Sequence, residues 1–172
     1  SGTGVSGSVI NMNGVLFFSA TDGTNGYELW RSDGTPAGTI MVKDINPGTG
    51  NSLPTSFFNA NGVLYFRASD VTNGSELWKG DGTNEGTVLV KDIFPGSGSG
   101  SPDFIRNIED IIYFKANDGI KGTELWRSDG TSNGTFMLKD IFQDSGSSSP
   151  AYLSIINGVL YFTADDGING NE

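Results

Sequence analysis

Short apolar runs recur along the chain at a fixed interval. Val15-Leu16-Phe17-Phe18 returns as Val63-Leu64-Tyr65-Phe66, as Ile111-Ile112-Tyr113-Phe114 and as Val159-Leu160-Tyr161-Phe162, each copy 48 residues after the last. Three of the four runs follow an Asn-Gly pair, at Asn13-Gly14, Asn61-Gly62 and Asn157-Gly158. Both central residues of a tight hairpin turn need positive φ, so Asn-Gly before an apolar run marks a strand entering a hairpin. No stretch sustains a 3.6-residue period, and turn residues cluster every 8 to 12 positions, which predicts strands and no helix. In the second repeat the pattern predicts strands over Ser56–Ala60, Val63–Ala68, Ser75–Gly80 and Thr87–Ile93, with a Gly/Ser-rich crossing from Pro95 to Pro102.

The repeat is strict. Trp30, Trp78 and Trp126 are 48 apart, as are Asp33, Asp81 and Asp129, and Asp44, Asp92 and Asp140, with no insertion between these anchors. Four short antiparallel strands in such a unit match a β-propeller blade. The central runs are apolar on both faces, as a sheet sandwiched between two neighbours requires, whereas a two-layer sandwich alternates apolar and polar. A parallel β-helix is the rival repeat fold, and the Asn-Gly hairpins speak against it. The expectation is an all-β β-propeller of about 3.5 four-stranded blades: residues 1–48, 49–96, 97–144, and a half blade at 145–172 holding the first two strands. A half blade leaves an edge unpaired. The expectation is therefore a longer parent chain or larger ring, with a homo-oligomer as second choice. Ser1–Gly4 reads as loop or an appended remnant.

Composition narrows the chemistry. The chain lacks cysteine and histidine, which excludes a disulfide framework, a Cys/His zinc site and any nucleophile activated by histidine. Ten basic against 20 acidic residues leave a formal charge of −10, unsuited to nucleic acid or anionic membranes. No run is long enough to span a bilayer as a helix, and no signal peptide is visible, although one could have been removed.

The segments Glu28-Leu29-Trp30-Arg31-Ser32-Asp33-Gly34-Thr35, Glu76-Leu77-Trp78-Lys79-Gly80-Asp81-Gly82-Thr83 and Glu124-Leu125-Trp126-Arg127-Ser128-Asp129-Gly130-Thr131 resemble the ELWxxDGT repeat family, and Val42-Lys43-Asp44-Ile45 fits the same pattern. The resemblance implies large secreted or surface-exposed bacterial proteins made of tandem repeats, hence an extracellular or cell-surface location, and it implies no single activity. The turn Ser32-Asp33-Gly34-Thr35 also resembles the Asp-box of sialidase-like propellers, imperfectly in spacing.

Residues repeated in every blade read as structure. The recurring Glu28, Glu76 and Glu124, with Arg31, Lys79 and Arg127 in the same strands and Lys43, Lys91 and Lys139 in the next, read as cross-strand ion pairs. The tryptophans read as core, which a Leu-Trp strand favours, rather than as sugar-stacking platforms. Phe57, Phe58, Phe94, Phe104 and Phe142 flank loops and are the better candidates for a lectin-like or protein-binding surface. The metal candidates are the loops Asp22–Glu28, Asp70–Glu76 and Asp118–Glu124, with a fourth copy at Asp166–Glu172. Calcium is the ion their carboxylates and carbonyls suit, although they lack the alternating acidic pattern of an EF-hand. The breaks in the repeat, among them Glu109-Asp110, Arg106, Lys121, Glu85 and Asp144, form no recognisable constellation. The expected function is a noncatalytic extracellular module for binding or assembly, with a protein or glycan partner. The alternatives are a carbohydrate-binding propeller and a fragment of a propeller hydrolase.

Overall fold

The structure, a computed structural model, describes residues 5–172; Ser1–Gly4 lie outside the described residues. These residues form 14 strands and no helix. The first sheet holds β1 (Val5–Met12), β2 (Val15–Ala20), β3 (Glu28–Ser32) and β4 (Ile40–Lys43) in chain order. The second holds β5 (Thr55–Ala60), β6 (Val63–Asp70), β7 (Gly74–Gly80) and β8 (Val88–Lys91), and the third β9 (Asp103–Ile108), β10 (Ile111–Asn117), β11 (Thr123–Ser128) and β12 (Phe136–Lys139). The fourth pairs β13 (Ala151–Ile156) with β14 (Val159–Thr163). All pairings are antiparallel.

The hairpins form where the Asn-Gly pairs stand. Asn61 and Gly62 take φ of 51° and 89°, bringing Ala60 opposite Val63. Asn13 and Asn157 behave alike. Glu109, which replaces Asn in the third repeat, adopts the same left-handed conformation at φ 52°. The fourth strand of the second repeat ends at Lys91, short of the expected Ile93, because the Ile93 N–H leaves the ladder to donate to a carboxylate of β7.

Core forms between sheets. From β6, Leu64, Phe66 and Ala68 join Trp78 in one cluster with Met12, Phe17, Leu29, Val42 and Ile45 of the first repeat. Tyr65, Leu77, Val90 and Ile93 of the second repeat form the other cluster with Ile105, Ile112, Phe114, Ala116 and Trp126 of the third. The second sheet is therefore buried on both faces, as its unbroken apolar run demands. The first strands of successive sheets adjoin one another, β1 with β5, β5 with β9 and β9 with β13. The turns after β7 and β11 also pack on the preceding sheet. Gly82, at φ +89°, lies against the Phe17 ring, and Gly130, at φ +84°, against the Tyr65 hydroxyl, so close that a side chain at either position meets the aromatic group.

Candidate functional site

The recurring glutamates are the chemical centre of each repeat. Glu28, Glu76 and Glu124 are fully buried at the start of the third strand. Glu28 accepts the Ile45 N–H at 2.8 Å, the Ser52 N–H at 3.0 Å and the Ser52 hydroxyl at 2.6 Å. Glu124 does the same with Ile141 N–H at 3.1 Å, Ser148 N–H at 2.9 Å and Ser148 Oγ–H at 2.6 Å. Each carboxylate thus clamps both ends of the crossing loop. The clamped loop residue then reaches the next sheet, because the carbonyls of Ser52, Gly100 and Ser148 accept the N–H groups of Ser69, Asn117 and Asp165. One buried side chain fixes how a sheet meets its successor.

The expected cross-strand ion pairs do not form. Among the described residues the one salt bridge is Lys121–Asp140, at 3.1 Å. Strand geometry gives the reason: Glu28 and Arg31 stand three positions apart on β3 and so point to opposite faces, while Lys43 lies opposite Leu29, the residue beside Glu28. The lysines join sheets instead. Lys43 donates to the Asn84 carbonyl of the next repeat at 3.1 Å, and Lys91 to the Thr135 carbonyl at 2.8 Å. Arg127 lies over the Phe136 ring, 5.3 Å from its centroid.

The second clamp differs from its kin. Gly100 stands where the others have serine, so Glu76 accepts only amides, from Ile93 at 3.1 Å, Phe94 at 3.2 Å and Gly100 at 2.7 Å. Burial pushes the Glu76 carboxyl up to about 7, against the pull of those donors, and nearby Asp92 adds to the rise. Burial also raises Glu28, where the Ser52 hydroxyl is the largest opposing influence.

The carboxylates of each candidate calcium loop serve separate hydrogen-bond sets. Asp22 Oδ1 accepts the Thr24 and Asn25 N–H groups and Oδ2 the Asn25 side-chain amide, which holds this exposed carboxyl below its usual range. Asp70 caps Thr72 and Asn73 in the same way, and Asp118 caps Ile120 and Lys121. Glu28, Glu76 and Glu124 meanwhile face the crossing loops. Among the described residues no group of three or more acidic side chains is placed to hold a metal ion.

Asp33, Asp81 and Asp129 organise the turn after the third strand. Asp33 accepts the Thr35 hydroxyl at 2.7 Å and its N–H at 2.9 Å, so its carboxyl lies below the usual value. The Thr35 hydroxyl also accepts the Gly38 N–H, and Gly38 sits against the Asp33 carboxylate where a Cβ does not fit. The same network recurs at Asp81 with Gly86 and at Asp129 with Gly134, which explains the DGTxxGT spacing. Asp44 and Asp92 accept the N–H of Gly48 and Gly96 in the crossing loop, and Asp140 pairs with Lys121. Each of these three carboxylates has its other oxygen buried without a hydrogen-bond partner, as has the indole N–H of Trp30, Trp78 and Trp126. Trp78 and Trp126 are buried between sheets, whereas Trp30 is half-buried.

Of the loop aromatics, Phe104 is exposed while Phe57, Phe58, Phe94 and Phe142 are half-buried. Phe104 borders a recess shared with Phe57, Phe58 and Arg106. A neighbouring cavity of about 310 Å³ lies between the second and third sheets, and Arg67 and Lys115 both line it. Neither residue stands out when the repeats are taken one at a time. Aligning the repeats reveals them, since the equivalent positions in the first and fourth repeats hold Ser19 and Thr163.

No family model matches the chain, and no curated protein matches it. The crystal structure of the computationally designed Ika8 protein is similar at a TM-score of 0.48 and 15% identity, over 92% of this chain and 42% of that one. The chain therefore spans less than half the length of that designed protein.

Proposed function

We propose that the chain is a noncatalytic repeat module of consecutive propeller-type blades, which presents its loops to a binding partner or a neighbouring module at the cell surface or outside the cell. One observation carries this reading: in three successive repeats the buried glutamate is engaged by the crossing loop that leads to the next sheet. A catalytic carboxylate must reach a substrate, whereas these reach their own backbone. The adjoining first strands of successive sheets and the core between sheets support the blade arrangement. The resemblance to ELWxxDGT repeats supports the extracellular placement.

A saccharide-binding role is the second reading, favoured by the polar cavity beside exposed Phe104. The test of the first reading is a panel of chromogenic glycosides and esters assayed with the purified chain. No turnover is expected above buffer. Turnover that disappears in Glu76→Gln while the variant stays folded refutes the noncatalytic reading.

A further inference from the structure

The first three repeats build the same four-stranded scaffold, so a unique ligand site must come from positions where the repeats differ. The junction between the second and third sheets is such a place. Arg67 on β6 and Lys115 on β10 occupy equivalent repeat positions, and both line the cavity of about 310 Å³ between their sheets. The corresponding residues at the preceding junction are Ser19 and Arg67, and at the following one Lys115 and Thr163, so this junction alone brings two cations together. In a chain of net charge −10 that is a local reversal of sign. Neither cation has an ion-pair partner among the described residues.

The rest of the lining indicates what the cations face. Asp103 is in the same cavity, with Oδ1 held at 2.9 Å by the Ser56 hydroxyl and by the Phe104 N–H. Ser101, Asn117 and Thr123 add hydroxyl and amide groups. Gly100 also lines the cavity, where the flanking repeats carry Ser52 and Ser148. A fixed carboxylate beside two cations opposes a compact, fully charged anion such as phosphate, and it accepts hydrogen bonds from a ligand's hydroxyls. Lys115 Nζ lies 4.5 Å from the centroid of the exposed Phe104 ring, which joins the charged cavity to the aromatic recess beside it. Guanidinium and ammonium groups for one carboxylate and acceptors for several hydroxyls make one combination of demands. The volume lies at the small end of ligand pockets.

We infer that this cavity is a binding site for a uronate, a sugar bearing a carboxylate, in which Arg67 and Lys115 hold the carboxylate and Asp103 accepts sugar hydroxyls, with the Phe104 ring positioning Lys115 at the edge. The assignment deepens the binding-module reading and rests on it. Turnover of a glycoside removes that reading without touching uronate binding, and failure to bind a uronate removes this assignment alone.

The experiment is an amide ¹H–¹⁵N titration of the chain with sodium D-glucuronate at constant ionic strength, with D-glucose and inorganic phosphate in parallel. The expected result is saturable shifts centred on the amides of Arg67, Ser99–Asp103, Lys115, Asn117 and Thr123. Glucose and phosphate should bind at least about tenfold more weakly, a difference of about 1.4 kcal/mol. Arg67→Gln and Lys115→Gln should each weaken glucuronate at least about tenfold, as loss of a charge-assisted bond does. Lys139→Gln, on β12 and outside the cavity lining, should change nothing. The two site variants keep most of the aliphatic stem, and their unperturbed spectra elsewhere report folding. Linear or scattered shifts, glucose binding as tightly as glucuronate, phosphate binding in preference to it, or undiminished affinity in both variants would each overturn the assignment.

Discussion

The clamp between sheets makes a sharp prediction at Ser52. Replacing it with alanine removes one oxygen and leaves the backbone bonds in place: Ser52 N–H still reaches Glu28 Oε1, and the Ser52 carbonyl still accepts the Ser69 N–H. What is lost is the 2.6 Å bond from the Ser52 hydroxyl to Glu28 Oε2, between two fully buried residues, with the same hydroxyl's longer 3.2 Å approach to the Tyr27 carbonyl. A hydrogen bond to a charged acceptor contributes about 1.5–3 kcal/mol. Oε2 keeps the Ile45 N–H, so the full cost of an orphaned charge does not apply. Ser52→Ala should therefore lower stability by about 1.5–3 kcal/mol, or about 3–12 °C in Tm for a chain of this size. Urea unfolding at pH 7, followed by tryptophan fluorescence, measures it. In a Glu28→Gln background the same change should cost only about 1 kcal/mol, because the acceptor is then neutral. A loss under about 0.5 kcal/mol, or an equal loss in both backgrounds, refutes the clamp, since bonds to exposed neutral groups behave that way.

Three further outcomes follow from the same geometry. Glu76 titrates at about 7 in the folded chain against an ordinary glutamate value of 4.5, so the native state holds the extra proton between those values and stability should fall as pH rises from 4.5 to about 7. Glu76→Gln removes the titrating group and should flatten that slope in urea melts at pH 5 and pH 8; an unchanged slope counts against the assignment of the slope to Glu76. Trp78→Ala should cost about 3–5 kcal/mol as a buried truncation, and Trp30→Ala, at the half-buried equivalent, at least about 1 kcal/mol less; equal losses in thermal unfolding contradict the inter-sheet placement of Trp78. Millimolar calcium should leave Tm unchanged, because Asp22 and its kin already cap their own turns, and a calcium-dependent rise reversed by chelator would show the loops to be ligands.

Much of the fold was legible because it is local and repeated. Asn-Gly pairs fixed the hairpins, and the doubly apolar Val63–Phe66 run announced a sheet covered on both faces. The clamp was not legible in the same way. Glu28 and Arg31 on one short strand suggest an ion pair in one dimension, yet strand alternation sends the two side chains apart, and the true partners, Ile45 and Ser52, lie 17 and 24 positions downstream in an irregular loop. Hydrogen bonds to backbone amides leave little trace in composition. The one visible trace was Ser52 and Ser148 recurring around Gly100, which gains meaning only once their partner is known. The Arg67–Lys115 cavity escaped for another reason. Each cation looks ordinary within its own repeat, and their meeting depends on how neighbouring sheets stack.

Nuclear Overhauser contacts from selectively labelled tryptophan rings to methyl groups report that stacking residue by residue. Contacts are expected from the Trp78 ring to methyls of Leu29, Val42 and Ile45 in the first repeat, and from the Trp126 ring to methyls of Leu77, Val90 and Ile93 in the second. Rings that see only methyls of their own repeat would rule out the packing of each sheet on its neighbour.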